Sequence, residues 1–167
     1  MGQIFTVGSG AVAKRIDCVG GRIAAFDCSN VELVSLLPVD QLGGERGVWV
    51  NDVWGWTDPL TSRDHALVSR RDGAAFVDVT DPELPRLVGS LPRTAGSRPS
   101  VWRDIKVSRN HAYIVSDGAG AHGMQVFDLT RLRSTTGTPV TFEEDAHYGN
   151  IFSAHNVVAD TATGFLY

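Results

Sequence analysis

The 167 residues carry 15 basic and 19 acidic side chains, a formal charge of -4, with 43% hydrophobic and 20% charged residues. That length holds one domain or part of one, and the composition excludes a disordered or collagen-like chain. Mild acidity with scattered arginines leaves no electrostatic footprint for nucleic acid. No apolar run approaches the roughly 20 residues that a membrane span needs. The start, Met1-Gly2-Gln3-Ile4-Phe5-Thr6, has neither the basic nor the apolar region of a secretion signal. It does meet the N-myristoylation pattern, a six-residue match that is common by chance.

Residues 1–47 read as an N-terminal segment with little core of its own. Cys18 and Cys28 are the only cysteines, and Gly20 and Gly21 between them let the chain double back. A short disulfide loop follows, worth roughly 3 kcal/mol in closure entropy, and it points to maturation outside the cytoplasm. Two unrelated buried thiols are the alternative; zinc would need two further ligands, and none is close in sequence. The run Asn30–Leu37, capped by Ser29 or Asn30 and stopped by Pro38, predicts a short helix.

From residue 48 the chain repeats. Asn51-Asp52-Val53-Trp54, Arg103-Asp104-Ile105-Lys106 and His155-Asn156-Val157-Val158 each set a polar pair before a strand-like step, with positions 52, 104 and 156 evenly spaced. Second runs follow at Ala66-Leu67-Val68, Ala112–Val115 and Leu166-Tyr167. Third runs stand at Phe76–Thr80 and Val126–Thr130, and fourth runs at Arg86–Leu91 and Pro139–Phe142. Four short β-branched and aromatic runs divided by Gly, Pro, Asp and Asn predict a four-stranded antiparallel unit. A period of about 50 residues is that of one propeller blade. The expected fold is therefore all-β: a partial β-propeller of two blades (48–95, 100–145) and the start of a third (152–167), behind the disulfide-containing segment. Two blades and a fragment do not close a ring of 4 to 8. The reading is a truncated N-terminal portion of a longer protein that self-associates through open sheet edges.

Longer motifs carry a resemblance: Asn51–Pro59, Asp72–Asp78, Trp102–Val107, Ser116–Leu129, Ala146-His147-Tyr148 and Ser153-Ala154-His155-Asn156, together with the Cys18 to Asn30 stretch. In these the chain resembles the choice-of-anchor B family, mostly bacterial, exported, LVIVD-repeat proteins that look like β-propellers. The resemblance implies a place, the cell surface or outside, more than a reaction.

Candidate chemistry gathers at the repeated polar pair. First strands of blades face a central channel, so Asp52, Asp104 and Asn156 would sit at equivalent positions, where their oxygens suit a Ca²⁺ ion; the alternative is that they bond to backbone in neighbouring blades. His147, His155 and Asn156 form a second group, with His122 and His111 further back. For these, Asp117, Glu144 or Asp145 would be the orienting carboxylate of a catalytic histidine. Their spacing matches no zinc motif, and loop hydrogen bonding is the plainer expectation. Gly118–Gly123 leads into a strand, not a helix, so it predicts a wide hairpin and no phosphate cradle. Trp49, Trp54, Trp56 and Trp102 read as packing between blades, or as sugar-stacking platforms if exposed. Asp78 and Asp128 read as turn caps. The expected function is an extracellular or cell-surface binding or scaffold module for an unidentified ligand or protein. The competing reading is a metal-assisted hydrolase or lyase built on Asp52, Asp104, His147 and His155.

Overall fold

The computed structural model describes residues 12–23 and 26–167; the myristoylation pattern at Met1–Thr6 lies outside them. The described residues are all-β, in small sheets that are antiparallel apart from one short added strand. In the N-terminal segment β1 (Val12–Asp17), β2 (Arg22–Ile23), β3 (Phe26–Asp27) and β4 (Glu32–Leu36) make two nested pairs, β1 with β4 and β2 with β3. Cys18 and Cys28 are joined in a disulfide, with Cα atoms 5.9 Å apart. The helix expected over Asn30–Leu37 is instead β4. Eight residues are too few to offset the cost of helix nucleation, and β1 offers a ladder partner, with a register shift between Ala13 and Ile16. Pro38 then opens a single 3₁₀ turn, Val39–Leu42.

Two larger sheets follow. The first is a meander of β5 (Val50–Thr57), β6 (Asp64–Arg70), β7 (Gly73–Asp78) and β8 (Arg86–Pro92). The second consists of β9 (Arg103–Ser108), β10 (His111–Ser116) and β11 (Met124–Asp128), completed by a later strand. The run Pro139–Phe142, expected as that completing strand, does something else. Its β12 (Val140–Thr141) crosses to the first sheet and pairs parallel with β8, and β13 (Ala146–Tyr148) closes the second sheet against β11. The crossing depends on Gly89: a Cβ there would lie 2.4 Å from Phe142 Cε2 and 2.8 Å from the Val140 oxygen. Only a bare backbone admits the Phe142 ring. Past residue 152 the expected strands are reduced to one bridge, Ala159 with Leu166, flanked by paired hydrogen bonds between Val158 and Tyr167.

The core lies between the two sheets. Leu67, Phe76 and Leu91 from the first meet Ile105, Ile114 and Phe127 from the second, with Leu129 of the 3₁₀ turn after β11, in one buried cluster. Phe76 and Phe127 stack at 4.7 Å, and Phe142 tilts against Phe127 at 5.0 Å. Burying each such side chain contributes about 2–3 kcal/mol. A bidentate ion pair ties the sheets at one end. Arg133 donates Nε and Nη2 to the buried Asp58 carboxylate at 2.9 and 2.6 Å, and Asp58 also accepts from Leu60 N and the Thr61 hydroxyl, which fixes the turn after β5. On the far face of the first sheet Ala75 and Val77 are covered by Leu37 and Leu42 of the N-terminal segment.

Candidate functional site

Strands β5 and β9 are edge strands of their sheets, and the repeated polar pair stands on them. Asp52 Oδ2 accepts the Ile105 N–H at 3.1 Å, and Asn51 Nδ2 donates to the Arg103 carbonyl at 3.2 Å. One repeat later Asp104 Oδ2 accepts the Val157 N–H at 2.8 Å. Each carboxylate thus bonds the amide one residue past its own equivalent in the next repeat; the first bond ties β5 to β9, and the second ties β9 to the C-terminal stretch at Val157. Asn156 is exposed, and among the described residues its side chain takes no hydrogen bond.

The structure brings Asp52 and Asp104 together around a residue that sequence reasoning missed. Lys106 Nζ lies 3.1 Å from Asp52 Oδ2 and 2.5 Å from Asp104 Oδ1, and 4.6 Å above the Trp54 ring. Burial pushes the Asp52 carboxyl up, but hydrogen bonding with its Asp104 neighbour, the Ile105 amide and Lys106 outweighs burial and leaves it below its ordinary value. Two carboxylates already committed to an ammonium and two amides do not fit a calcium ion, which takes six to eight oxygens. Among the described residues no group of three or more His, Cys, Asp or Glu side chains is assembled for a metal. The signal for Lys106 was its place two residues after Asp104, on the same side of the strand.

The histidines do not converge. His147, on β13, pairs with Glu144 at 3.2 Å. His155 Nδ1 lies 3.3 Å from Asp117 Oδ2, and its ring lies 5.5 Å from that of Trp102. Asp117 is the orienting carboxylate, but the nearby Ser153 hydroxyl donates to Asp117 Oδ1 and not to the histidine, so no nucleophile is activated. His111 opens β10 opposite Asp128. The glycine stretch is a loop into β11, with Gly118, Gly120 and Gly123 at positive φ. Asp78 and Asp128 cap their turns as expected, each accepting the amide two residues on.

Of the four tryptophans only Trp56 is packed inside. Trp49, Trp54 and Trp102 are 70%, 41% and 54% exposed, against the expectation of packing between repeats. Trp49 and Trp102 fall just before β5 and β9, outside the sheets, and Trp54 shares β5 with the buried Trp56. The outcome is an exposed rim with Trp54 over Lys106 and, just before β9, Trp102 against His155.

Behind the rim His122 is fully buried. Its Nε2 lies 2.8 Å from Arg103 Nη1, which can only donate, so Nε2 accepts and Nδ1–H donates to the Gly123 carbonyl at 3.1 Å. Burial, helped by the Arg103 charge, pushes this imidazole down from 6.5 to about 4. His65 is likewise lowered, chiefly by burial. A histidine that resists protonation in the native state contributes fully above its unfolded value of 6.5 and loses that contribution as pH falls toward about 4. Carboxylates act at lower pH. Arg133 holds Asp58 well below its ordinary 3.8, and hydrogen bonds from Arg63, Thr80 and Arg86 outweigh burial to do the same for Asp78, so their share is lost below about pH 4. Urea unfolding at successive pH values is expected to show an early loss between 6.5 and 4 and a second one below it. His122→Gln should shrink the first to the share that His65 contributes and leave the second.

No family model matches the chain, and no curated protein or solved structure matches it.

Proposed function

We propose that this chain is built of propeller-type units and works as a binding module outside the cell, presenting the Trp54–Lys106–Trp102 rim to an extracellular ligand. The observation that carries the reading is the exposure of Trp54 on β5 and of Trp102 just before β9, beside strands that the Asp52 hydrogen bond ties to one another. An indole face flanked by an ammonium and carboxylates offers a flat apolar platform with polar groups to fix orientation, the make-up of a recognition surface. Two meandering sheets joined by the Asp52–Ile105 contact, with the same contact recurring 52 residues later from Asp104 to Val157, support radial units. The disulfide supports an oxidising location. Exposed Val53 and Trp54 beside the open edge of β5 support self-association at high concentration. The hydrolase reading has less behind it, because Lys106 occupies the cation's place and the histidines stand apart.

Co-sedimentation of the purified protein with insoluble bacterial surface polysaccharide, alongside tryptophan fluorescence with soluble fragments, tests the reading. Trp54→Ala and Trp102→Ala are each expected to weaken binding by about tenfold or more. Affinity unchanged in both variants would move the binding surface elsewhere and overturn the assignment.

A further inference from the structure

The start of β9 holds a charge that the fold does not neutralise. Arg103 is 1% exposed, among the largest fully buried side chains of the protein. Only its Nη1 is engaged, with His122; Nε and Nη2 are buried without a hydrogen-bond partner. Those two N–H groups point the same way from the planar guanidinium and form the side-on fork that receives two oxygens of an anion, or one halide, at once. Among the described residues no carboxylate bonds it. The charges that act on Arg103 are Arg93 and Arg70, which repel it, and Asp72, which attracts it. Asp72 is already spent on Arg70 at 2.8 Å, and also accepts the Glu45 amide. Arg93 spends a guanidinium N–H on the Ser97 carbonyl, which brings no charge. His122 cannot help, because as an acceptor from Arg103 it is held neutral. Three guanidinium groups therefore stand against one carboxylate around a buried fork. Leaving a buried cation with unmet donors costs several kcal/mol in general.

We propose that the Nε/Nη2 fork of Arg103 is an internal site for a small monovalent anion, a halide or planar oxyanion such as chloride or nitrate. Burial sets the size. A side chain sealed from solvent admits no peptide carboxylate or polysaccharide, so the ligand enters as the sheets close and acts as a structural ion. The site is separate from the Trp54 rim and does not depend on what that rim binds.

The test is thermal unfolding of the whole chain at fixed ionic strength, exchanging gluconate, too large to enter, for nitrate or chloride. A saturable rise in Tm of about 5 °C is expected for the unaltered protein, with little or none in Arg103→Gln and a reduced one in Arg103→Lys, which keeps the charge without the fork. Crystals grown in bromide should give an anomalous peak within hydrogen-bond reach of Nε and Nη2, a readout that stands even if the variants do not fold. Equal Tm in all salts would overturn the proposal. So would a rise that persists undiminished in Arg103→Gln, or a water in the fork with no anomalous signal.

Discussion

Phe127→Ala is expected to destabilise the protein by about 3–5 kcal/mol, the largest single loss the core can suffer. The ring is wholly buried, stacked on Phe76 and tilted against Phe142, with the Arg131 guanidinium 5.1 Å from its centre. Its neighbours come from three separate stretches of chain: β7, the turn that follows β11 and the segment that crosses from the second sheet to the first. Truncation removes the common surface on which those stretches meet, and the sheets cannot slide together to fill the void, because Asp58 and Arg133 pin their far end. Phe127→Leu keeps most of the volume and is expected to cost under about 1.5 kcal/mol. Urea titration of both variants checks the ratio. Equal losses would mean that the cluster is looser than its stacking distances indicate.

Asp104→Ala is expected to cost about 2–3 kcal/mol, near the upper end for a buried donor left without its acceptor. The Val157 amide is the donor, and the Asp104 carboxylate is its partner at 2.8 Å. Lys106 retains Asp52 at 3.1 Å, so the ammonium is not stranded. The loss should therefore concentrate at the C-terminal end. Amide exchange resolves this: Val157 and the Val158–Tyr167 pair should lose protection far more than β9 and β10 do. Asp104→Asn keeps an oxygen for the amide and should restore most of that protection. Uniform loss across both sheets would show that Asp104 acts through Lys106 instead.

What the sequence made legible is what recurs. Residues 52 and 104 hold equivalent places because spacing survives folding, and the caps at Asp78 and Asp128 could be read because they involve residues two apart. The cysteine pair, ten residues apart, was legible for the same reason. Contacts between distant stretches left no such mark. Nothing local says that Phe142 will desert its own sheet; the permission comes from a missing Cβ at Gly89 and the reward from Phe76 and Phe127. Arg133 finds Asp58 at a separation of 75 residues, and Arg103 finds His122 across a loop, both through three-dimensional packing alone. The run Glu32–Leu36 had both helix and strand in reach, and a neighbouring strand decided between them. Tryptophan exposure was misjudged because bulk argues for burial, whereas Trp49 and Trp102 fall just before their strands, outside the sheets.

The hydrogen bond from each repeat's aspartate to the amide beyond has an evolutionary consequence. The second unit carries both halves of its connector, the Asp104 acceptor that reaches forward and the Ile105 amide that Asp52 reaches. A duplicated unit arrives with a matching joint on either side, and a deleted one leaves behind two ends that still fit. Lineages built on this joint can lengthen or shorten by whole units without inventing a new interface, and their members should differ in repeat number more readily than in the residue that makes the joint.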